Sequence, residues 1–180
     1  VSAVDMSASY YFDDGYWNGN VWMSHQWFVW KTMLDNGDTD FAFEIANRAL
    51  EMWKEETDFT YFTYECFGIK TRRGGWFHNF GGLSAPICIW ANAYYKPGTV
   101  TTGLDVWTDY QNVTDDSAEI SFKYFGNNEK YSMIVTLSDK NSYKATLNGK
   151  EVEFKLRNGG SLEFTFDKDV DKGILKIETL

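Results

Sequence analysis

The sequence predicts an α+β fold in two units, a helical part followed by a small antiparallel β-sandwich. Seven of the eight tryptophans lie before residue 100, and only Trp107 follows. Apolar residues recur at helical spacing before residue 98, whereas after residue 118 they alternate with polar residues as in half-buried strands. We therefore expect a domain boundary that separates residues 1–98 from residues 99–180.

Three helices are expected in the first part. Residues 21–34 place apolar side chains at helical spacing and end in a glycine-containing turn, and residues 39–57 repeat the pattern after it. Together they form a predicted helical hairpin. Residues 58–83 hold several glycines without a steady period and are expected to be a long ordered loop. The third helix covers residues 85–95, with Pro86 in its first turn.

Short strands are expected in the second part, because six segments alternate apolar and polar residues. The segments are residues 119–124, 131–137, 142–147, 151–154, 161–166 and 173–177. Asn148-Gly149, between two of them, is a strong signal for a two-residue hairpin turn. Strands of this length and spacing favour a small antiparallel sandwich.

The chain is acidic, with a formal net charge of −9 and a pI near 4.7. Such a surface repels nucleic acid and anionic membranes, so neither is expected as a partner. No apolar stretch approaches the roughly eighteen residues of a transmembrane helix, and the N-terminus lacks a signal-peptide pattern. Because the first residue is Val1 rather than Met, the chain is expected to be a processed product or a fragment of something longer.

Neither a metal nor a cofactor is expected. Cys66 and Cys88 belong to no CxxC pair, and His25 and His78 are the only histidines, which leaves too few metal ligands. Two free thiols are favoured, and a disulfide between them stays open. The glycine pairs do not follow a strand in the pattern of a nucleotide-binding loop.

Residues 16–30 hold four tryptophans interleaved with Asn, His and Gln. Rings offer flat apolar faces, whereas amides and imidazoles offer hydrogen bonds at fixed angles. This mixture suits a sugar ring, which has apolar C–H faces and a rim of hydroxyls. The run therefore predicts a carbohydrate pocket. Trp17 and Trp76 are the expected lining, whereas Trp53 and Trp90 fit helix stripes and are expected in the core.

Glu65 is a lone carboxylate among aromatic residues. Burial among rings disfavours its charged form, and a carboxylate held in this way can act as a general base that activates water. The alternative is a structural role, as a helix cap or in an ion pair with Arg72 or Arg73. Asp13 and Asp14 are adjacent in a loop and are expected to serve a turn rather than a catalytic pair.

Two segments of the chain resemble motifs of glycoside hydrolase family 63 and its relatives, among them trehalases. The first is similar to the family's YWRGxxW segment and reads Tyr16-Trp17-Asn18-Gly19-Asn20-Val21-Trp22, followed by Gln26-Trp27-Phe28. The second is similar to the family's YENYNxxTG…FxW segment and comprises Tyr64-Glu65, Phe67, Thr71, Gly75, Phe80 and a helix ending Tyr94-Tyr95. The resemblance covers residues 10–97.

The resemblance implies an inverting hydrolase of α-glucosides with an (α/α)6 barrel, a toroid whose last helical hairpins these residues would form. Glu65 matches the family's general base, and Trp17 and Gly19 match residues that shape the sugar pocket. Further candidate sugar contacts lie in or beside the matched segments: Trp22, Gln26, Trp27 and Trp76. For Gln26 a structural hydrogen bond is an equally open role.

The chain departs from the family's pattern at two places and lacks one component. Asn18 stands where the family has Arg, and Gly81-Gly82 follows Phe80 where the family has Trp, so both changes bear on substrate choice. The family's general acid, an Asp, lies far upstream in a part that this chain does not contain. The resemblance therefore implies that the remainder of the barrel, upstream in the same protein, is a partner of this segment.

Two other functions are compatible with the sequence. A non-catalytic carbohydrate-binding module would also use the aromatic run and a sandwich. A protein-interaction domain would use the same aromatic surface against a protein partner. Loss of hydrolysis in a folded Glu65→Gln variant would favour the enzyme, and sugar binding by the chain itself would favour the module.

Overall fold

The computed structural model describes all 180 residues, and most of its regular structure is β-sheet. Eleven strands form three antiparallel sheets, and three helices are longer than one turn. The helices are α1 (Met23–Asp35), α2 (Thr39–Thr60), the single-turn α3 (Gly81–Ser84) and α4 (Pro86–Tyr95). The strands are β1 (Tyr64–Phe67), β2 (Gly74–His78), β3 (Thr99–Thr102), β4 (Val106–Val113), β5 (Ala118–Tyr124), β6 (Lys130–Thr136), β7 (Tyr143–Leu147), β8 (Lys150–Glu151), β9 (Lys155–Leu156), β10 (Ser161–Asp167) and β11 (Lys172–Thr179). No helix is both long enough and apolar enough to cross a membrane.

The predicted fold class is wrong. The chain is β-rich, and it is not a set of helical hairpins from an (α/α)6 toroid followed by a small sandwich. The three predicted helices are present with shifted ends, but the sheet content exceeds the expectation. Residues 58–83, predicted to be a loop, contain β1 and β2, and β3, β4 and β9 have no predicted counterpart.

The position of the unpredicted strands in their sheets explains the difference. The second sheet has the order β3-β6-β10-β9 and the third β4-β5-β11-β7-β8, so that β3, β4 and β9 are all edge strands. β3 is half-buried throughout and β4 is exposed along most of its length. Such strands take their hydrogen bonds from one neighbour and bury few side chains, so they show no regular apolar alternation.

The chain divides into two compact units that do not follow a single cut in the sequence. The first unit comprises residues 1–30 and 43–90, and the second comprises residues 31–42 and 91–180. Three fully buried indoles, those of Trp22, Trp30 and Trp90, belong to the core of the first unit. Trp30 and Trp90 pack edge to face with their ring centroids 6.3 Å apart. Trp90 thus lies in the core, as its helix stripe predicts.

The second unit encloses one apolar core between its two larger sheets. In that core Tyr124 stacks on Tyr131 with ring centroids 4.1 Å apart, and Phe166 packs against Tyr131 in a tilted arrangement at 5.6 Å. The predicted turn at Asn148-Gly149 is confirmed, since these residues have φ of 51° and 79° and connect β7 to β8. Positive φ at both central positions is the requirement of a type I′ hairpin.

Candidate functional site

Glu65 is placed by the small β1–β2 hairpin of the first unit. The hairpin is antiparallel, and its register shifts between Tyr64 and Cys66, so that Glu65 lies at an irregularity of the ladder. An isolated bridge joins β1 to the aromatic run: Val21 N donates to Phe67 O at 2.7 Å, and Phe67 N donates to Val21 O at 2.9 Å. The two segments that resemble the family motifs are therefore held side by side by backbone hydrogen bonds.

The Glu65 carboxylate is buried, with 7% of the residue exposed. Its Oε1 accepts a hydrogen bond from the phenolic hydroxyl of Tyr16, and its Oε2 has no hydrogen-bond partner. A buried carboxylate oxygen without a donor is costly, which is why most such atoms in folded proteins are paired. Glu65 therefore combines one oxygen fixed by Tyr16 with one buried oxygen that has no hydrogen-bond partner.

The structural alternatives predicted for Glu65 are not observed. Arg72 forms a bidentate pair with Glu55, at 2.9 and 3.0 Å, and Arg73 forms one with Glu56, at 2.6 and 3.2 Å. Glu56 is itself buried, whereas Arg73 is half-exposed. Both arginines that could neutralise Glu65 are thus engaged with neighbouring carboxylates of α2.

Tyr16 is the centre of an aromatic cluster, which comprises Tyr16, Trp17, Trp22 and Trp76. The Tyr16 ring makes edge contacts with the other three, at centroid distances of 5.2, 4.8 and 4.6 Å respectively. Trp17 stacks on Trp22 at 4.1 Å with an interplanar angle of 7°. Trp22 is buried, and its Nε1 donates to Tyr16 O at 2.8 Å.

Two indoles of the aromatic cluster face solvent. Trp17 is 57% exposed and Trp76 is 61% exposed, although both contact the Tyr16 ring that holds Glu65. Trp76 also has a φ of 65°, in the left-handed region that residues other than glycine rarely adopt. Backbone held in that region needs support from its surroundings and is found preferentially at binding sites.

Gly19 supports the loop that carries Tyr16 and Trp17. A Cβ at this position would lie 1.9 Å from the carbonyl oxygen of Phe12, so that no side chain fits there. The same loop is closed by Phe12 N, which donates to Asn18 O at 3.2 Å. Gly19 is thus required for a close approach of two backbone segments in this loop.

The structure brings Glu65, Trp17, Trp22 and Trp76 together through Tyr16, but it does not add Gln26 or Trp27 to this group. Gln26 is buried, its Oε1 accepts from the Val1 amino group and its Nε2 donates to Val1 O, both at 2.7 Å. Trp27 packs against Phe28 with ring centroids 5.0 Å apart. Gln26 therefore has its polar atoms committed to the backbone of Val1.

Tyr16 is a member of the site that the sequence alone does not predict. Tyr16 is the first residue of the aromatic motif. The spacing of the two motifs does not predict that its hydroxyl donates to the carboxylate of Glu65, 49 residues away. The hydrogen bond to Glu65 raises the pKa of Tyr16 from 10.0 to about 12, and burial contributes in the same direction. Tyr16 is thus a persistent donor at neutral pH.

Cys66, beside Glu65 on β1, is a buried free thiol. Burial raises its pKa from 9.0 to about 11, against the opposing effect of the hydrogen bond from Asn20 Nδ2 to its Sγ at 3.2 Å. Cys88 is also free and is exposed. The thiol next to the carboxylate is therefore protonated and a poor nucleophile at neutral pH.

The arrangement can hold a polar ring-shaped ligand against Trp17 or Trp76 and can accept a proton at Glu65 Oε2. No group of three or more His, Cys, Asp or Glu side chains is arranged to hold a metal ion. Comparisons with models of known protein families and with curated proteins find no match.

Proposed function

We propose that the chain carries the general base and part of the sugar pocket of an inverting glycoside hydrolase acting on α-glucosides or related sugars. The observation that carries the proposal is the state of Glu65: a buried carboxylate with Oε1 fixed by Tyr16 and Oε2 without a partner. The two exposed indoles beside it supply apolar faces of the kind that a sugar ring covers.

In this proposal Glu65 Oε2 accepts a proton from a water molecule. The oxygen of that water forms a bond to the anomeric carbon on the face opposite the leaving group, and the bond to the leaving oxygen breaks with its electron pair. In an inverting enzyme the two carboxyl groups stand roughly 6.5–9.5 Å apart, to leave room for the water. Tyr16 has the role of orienting Glu65, because it fixes one oxygen and leaves the other for the water.

The leaving oxygen needs a proton from a general acid. Neither Asp13 nor Asp14 is assigned that role, since Asp13 pairs with Lys70 and Asp14 is exposed in the loop. We place the acid outside these 180 residues, in agreement with what the resemblance implies. A substrate whose leaving group departs without protonation therefore isolates the part of the reaction that this chain supplies.

α-Glucosyl fluoride is such a substrate, because fluoride leaves without general acid catalysis. The experiment compares its hydrolysis by the wild-type chain and by Glu65→Gln, with the first-formed anomer identified by proton NMR. We expect β-glucose as the initial product and a rate that is about 10²–10⁴-fold lower in the variant. Glu55→Gln is the control, because Glu55 is an exposed carboxylate of the same unit that pairs with Arg72. Equal rates in Glu65→Gln and the wild type would refute the assignment.

A non-catalytic sugar-binding role is the second candidate. Glu65 and the aromatic cluster make no hydrogen bond or ring contact that involves a second carboxylate, and this observation favours the binding role. On this alternative the chain binds a glucoside with an affinity that depends on Trp17 and Trp76, but it leaves α-glucosyl fluoride intact. The two assays together therefore separate catalysis from binding.

A further inference from the structure

A small polar pocket lies next to the aromatic cluster and has no part in the role proposed for Glu65. Its volume is about 210 Å³, and Trp76 forms one wall. The other walls come from the loop before α1 and from the turn between β1 and β2, and their polar members are Asp14, Asn20, Thr71 and Arg73. Trp76 therefore contacts the Tyr16 ring and also lines this pocket.

Asn20 is the buried polar group of the pocket, with 2% of the residue exposed. Its Nδ2 donates to Cys66 Sγ at 3.2 Å, which fixes the amide, but its Oδ1 has no hydrogen-bond partner. An acceptor this deeply buried is expected to be satisfied by a ligand or by water. Asn20 thus lines the pocket and carries a buried acceptor whose hydrogen-bonding capacity is unused.

Two further oxygens converge at the pocket. A Cβ built on Gly68 would lie 2.2 Å from Thr71 Oγ1 and 2.4 Å from Asp14 Oδ1, so both oxygens stand close to the same point. Asp14 is held there by a left-handed backbone with φ of 60°. The glycine leaves this corner free of side chain, which keeps the carboxylate and the hydroxyl accessible from the pocket.

Arg73 is the cationic residue of the pocket, and its charge bears on which class of ligand fits these oxygens. Its guanidinium is fixed by Glu56 and by the Phe59 ring, whose centroid is 4.3 Å away. A calcium site would need six to eight oxygen ligands with several carboxylates, whereas the residues that line this pocket include one carboxylate, Asp14, and one cationic residue, Arg73. The pocket combines several hydrogen-bond acceptors, a hydroxyl and an indole face. This combination suits a ligand with an apolar ring and hydrogen-bond donors around its rim.

We propose that this pocket is a subsite for one pyranose ring, stacked on Trp76, with its hydroxyls donating to Asn20 Oδ1 and the Asp14 carboxylate. The proposal rests on the sugar specificity of the proposed function and extends it by a second position along the sugar chain. The first position lies at Glu65 and Trp17, and Trp76 is shared between the two.

The test is an NMR titration of the 180-residue chain with methyl α-glucoside, in buffer that contains EDTA. Asp14→Asn is the main variant, because Asn tolerates a left-handed backbone and the substitution removes only the charge. Thr71→Val removes one hydroxyl at constant shape. Asp13→Asn is the matched control, since Asp13 is the neighbouring carboxylate and does not line the pocket.

We expect Asp14→Asn to weaken glucoside binding about tenfold, Thr71→Val to weaken it less, and Asp13→Asn to leave it unchanged. Chemical-shift changes should include the backbone amides of Asn20 and Gly75. Cyclohexanol, a ring with one hydroxyl, should not bind. Equal affinities in Asp14→Asn and the wild type, or no glucoside binding by the wild type, would overturn the subsite, as would Ca²⁺ binding at the same amides when EDTA is omitted.

The two assays test the subsite and the general-base role of Glu65 separately. If α-glucosyl fluoride is hydrolysed but Asp14→Asn binds methyl α-glucoside normally, the subsite is wrong and the general base stands. If Asp14→Asn weakens binding but Glu65→Gln hydrolyses the fluoride at the wild-type rate, the subsite stands and the hydrolytic role of Glu65 is wrong.

Discussion

The phenolic hydroxyl of Tyr16 donates a hydrogen bond to Oε1 of Glu65, across 49 residues of chain. The bond links the aromatic run to strand β1 at the point where Val21 and Phe67 also join the two segments. It divides the carboxylate into a fixed oxygen and a buried, unpaired one. The proposed chemistry depends on this division, because a base must be oriented and must keep one oxygen free of other hydrogen bonds to accept the proton.

Removal of the Tyr16 hydroxyl tests the orienting role. Tyr16→Phe keeps the ring and its contacts with Trp17, Trp22 and Trp76, but it frees Glu65 Oε1. We expect α-glucosyl fluoride hydrolysis to fall by up to about 100-fold, because a misplaced base loses its alignment with the water. The loss should appear in kcat rather than in KM. A wild-type kcat in this variant would contradict the role, and Tyr11→Phe is the control, because Tyr11 lies in the same loop and makes no contact with Glu65.

The same hydrogen bond predicts a dependence of stability on alkaline pH. The pKa of Tyr16 is about 12 in the folded chain and 10.0 as the ordinary value, so the unfolded chain loses this proton first. The stabilisation is therefore complete below pH 10 and is lost as the pH rises from about 10 to about 12. Urea unfolding at a series of pH values should show a smaller decline in this window for Tyr16→Phe than for the wild type.

Other tyrosines also titrate with raised pKa values in the folded chain, among them Tyr124 and Tyr143, whose pKa values are raised mainly by burial. The wild-type decline alone is therefore not diagnostic, and the difference between wild type and Tyr16→Phe is the quantity to measure. If the free energies of unfolding of the two proteins fall in parallel between pH 10 and about 12, then Tyr16 contributes nothing to the decline in stability.

The exposed indoles of the aromatic cluster predict where sugar binding is sensitive. Trp17→Ala and Trp76→Ala should each weaken methyl α-glucoside binding about tenfold, because each removes an apolar face worth about 0.5–1.5 kcal/mol beyond its buried area. Trp107→Ala is the matched control, since Trp107 is 66% exposed and lies on β4 of the second unit. An equal loss in all three variants would indicate nonspecific binding to exposed indoles.

The local elements could be predicted from the sequence, whereas their arrangement could not. The helices α1, α2 and α4 carry strong apolar periodicity and clear end signals, and the Asn148-Gly149 turn demands positive φ. The edge strands β3 and β4 contribute only Val106 to the fully buried core, so regular alternation is absent there. They form because β6 and β5 present unpaired backbone groups to them.

The candidate site was predictable to a similar extent. Aromatic composition and the two motifs point to Glu65, Trp17 and Trp76, because these signals are local in the sequence. The partners of Gln26 and the hydrogen bond from Tyr16 depend on contacts between distant segments, at separations of 25 and 49 residues. The oxygen positions of Asn20 and Asp14 likewise follow from the loop backbone, for which the sequence carries no periodic signal.

The two thiols are expected to differ in reactivity. Cys66 is buried with its pKa raised to about 11, whereas Cys88 is exposed on α4. Because thiolate is the reactive form, native protein at pH 8 should react with a disulfide reagent at Cys88 alone. Cys66 should react only after denaturation, and mass spectrometry of peptides should identify each site. Rapid labelling of Cys66 in the native chain would show that its strand opens readily.

The ion pair between Arg157 and Glu163 predicts a large stability effect in the second unit. Glu163 is fully buried on β10, and Arg157, with 14% of its side chain exposed, donates through Nε to Glu163 Oε1 at 2.7 Å. Arg157→Ala would leave a buried carboxylate without its cation, at a cost of about 3–5 kcal/mol in the free energy of unfolding. Urea denaturation at pH 7 measures this loss.

A second substitution separates the buried charge from the other contacts of Arg157, which also donates to Thr39 O and to Asp40. In the Arg157→Ala background, Glu163→Gln should restore part of the lost stability, because the neutral amide costs less to bury than an unpaired carboxylate. Lys168→Ala is the control: its pair with Glu129 is exposed on both sides, and its removal should cost less than about 1 kcal/mol. If the double variant is less stable than Arg157→Ala alone, then Arg157 stabilises the unit through Thr39 and Asp40 rather than by neutralising Glu163.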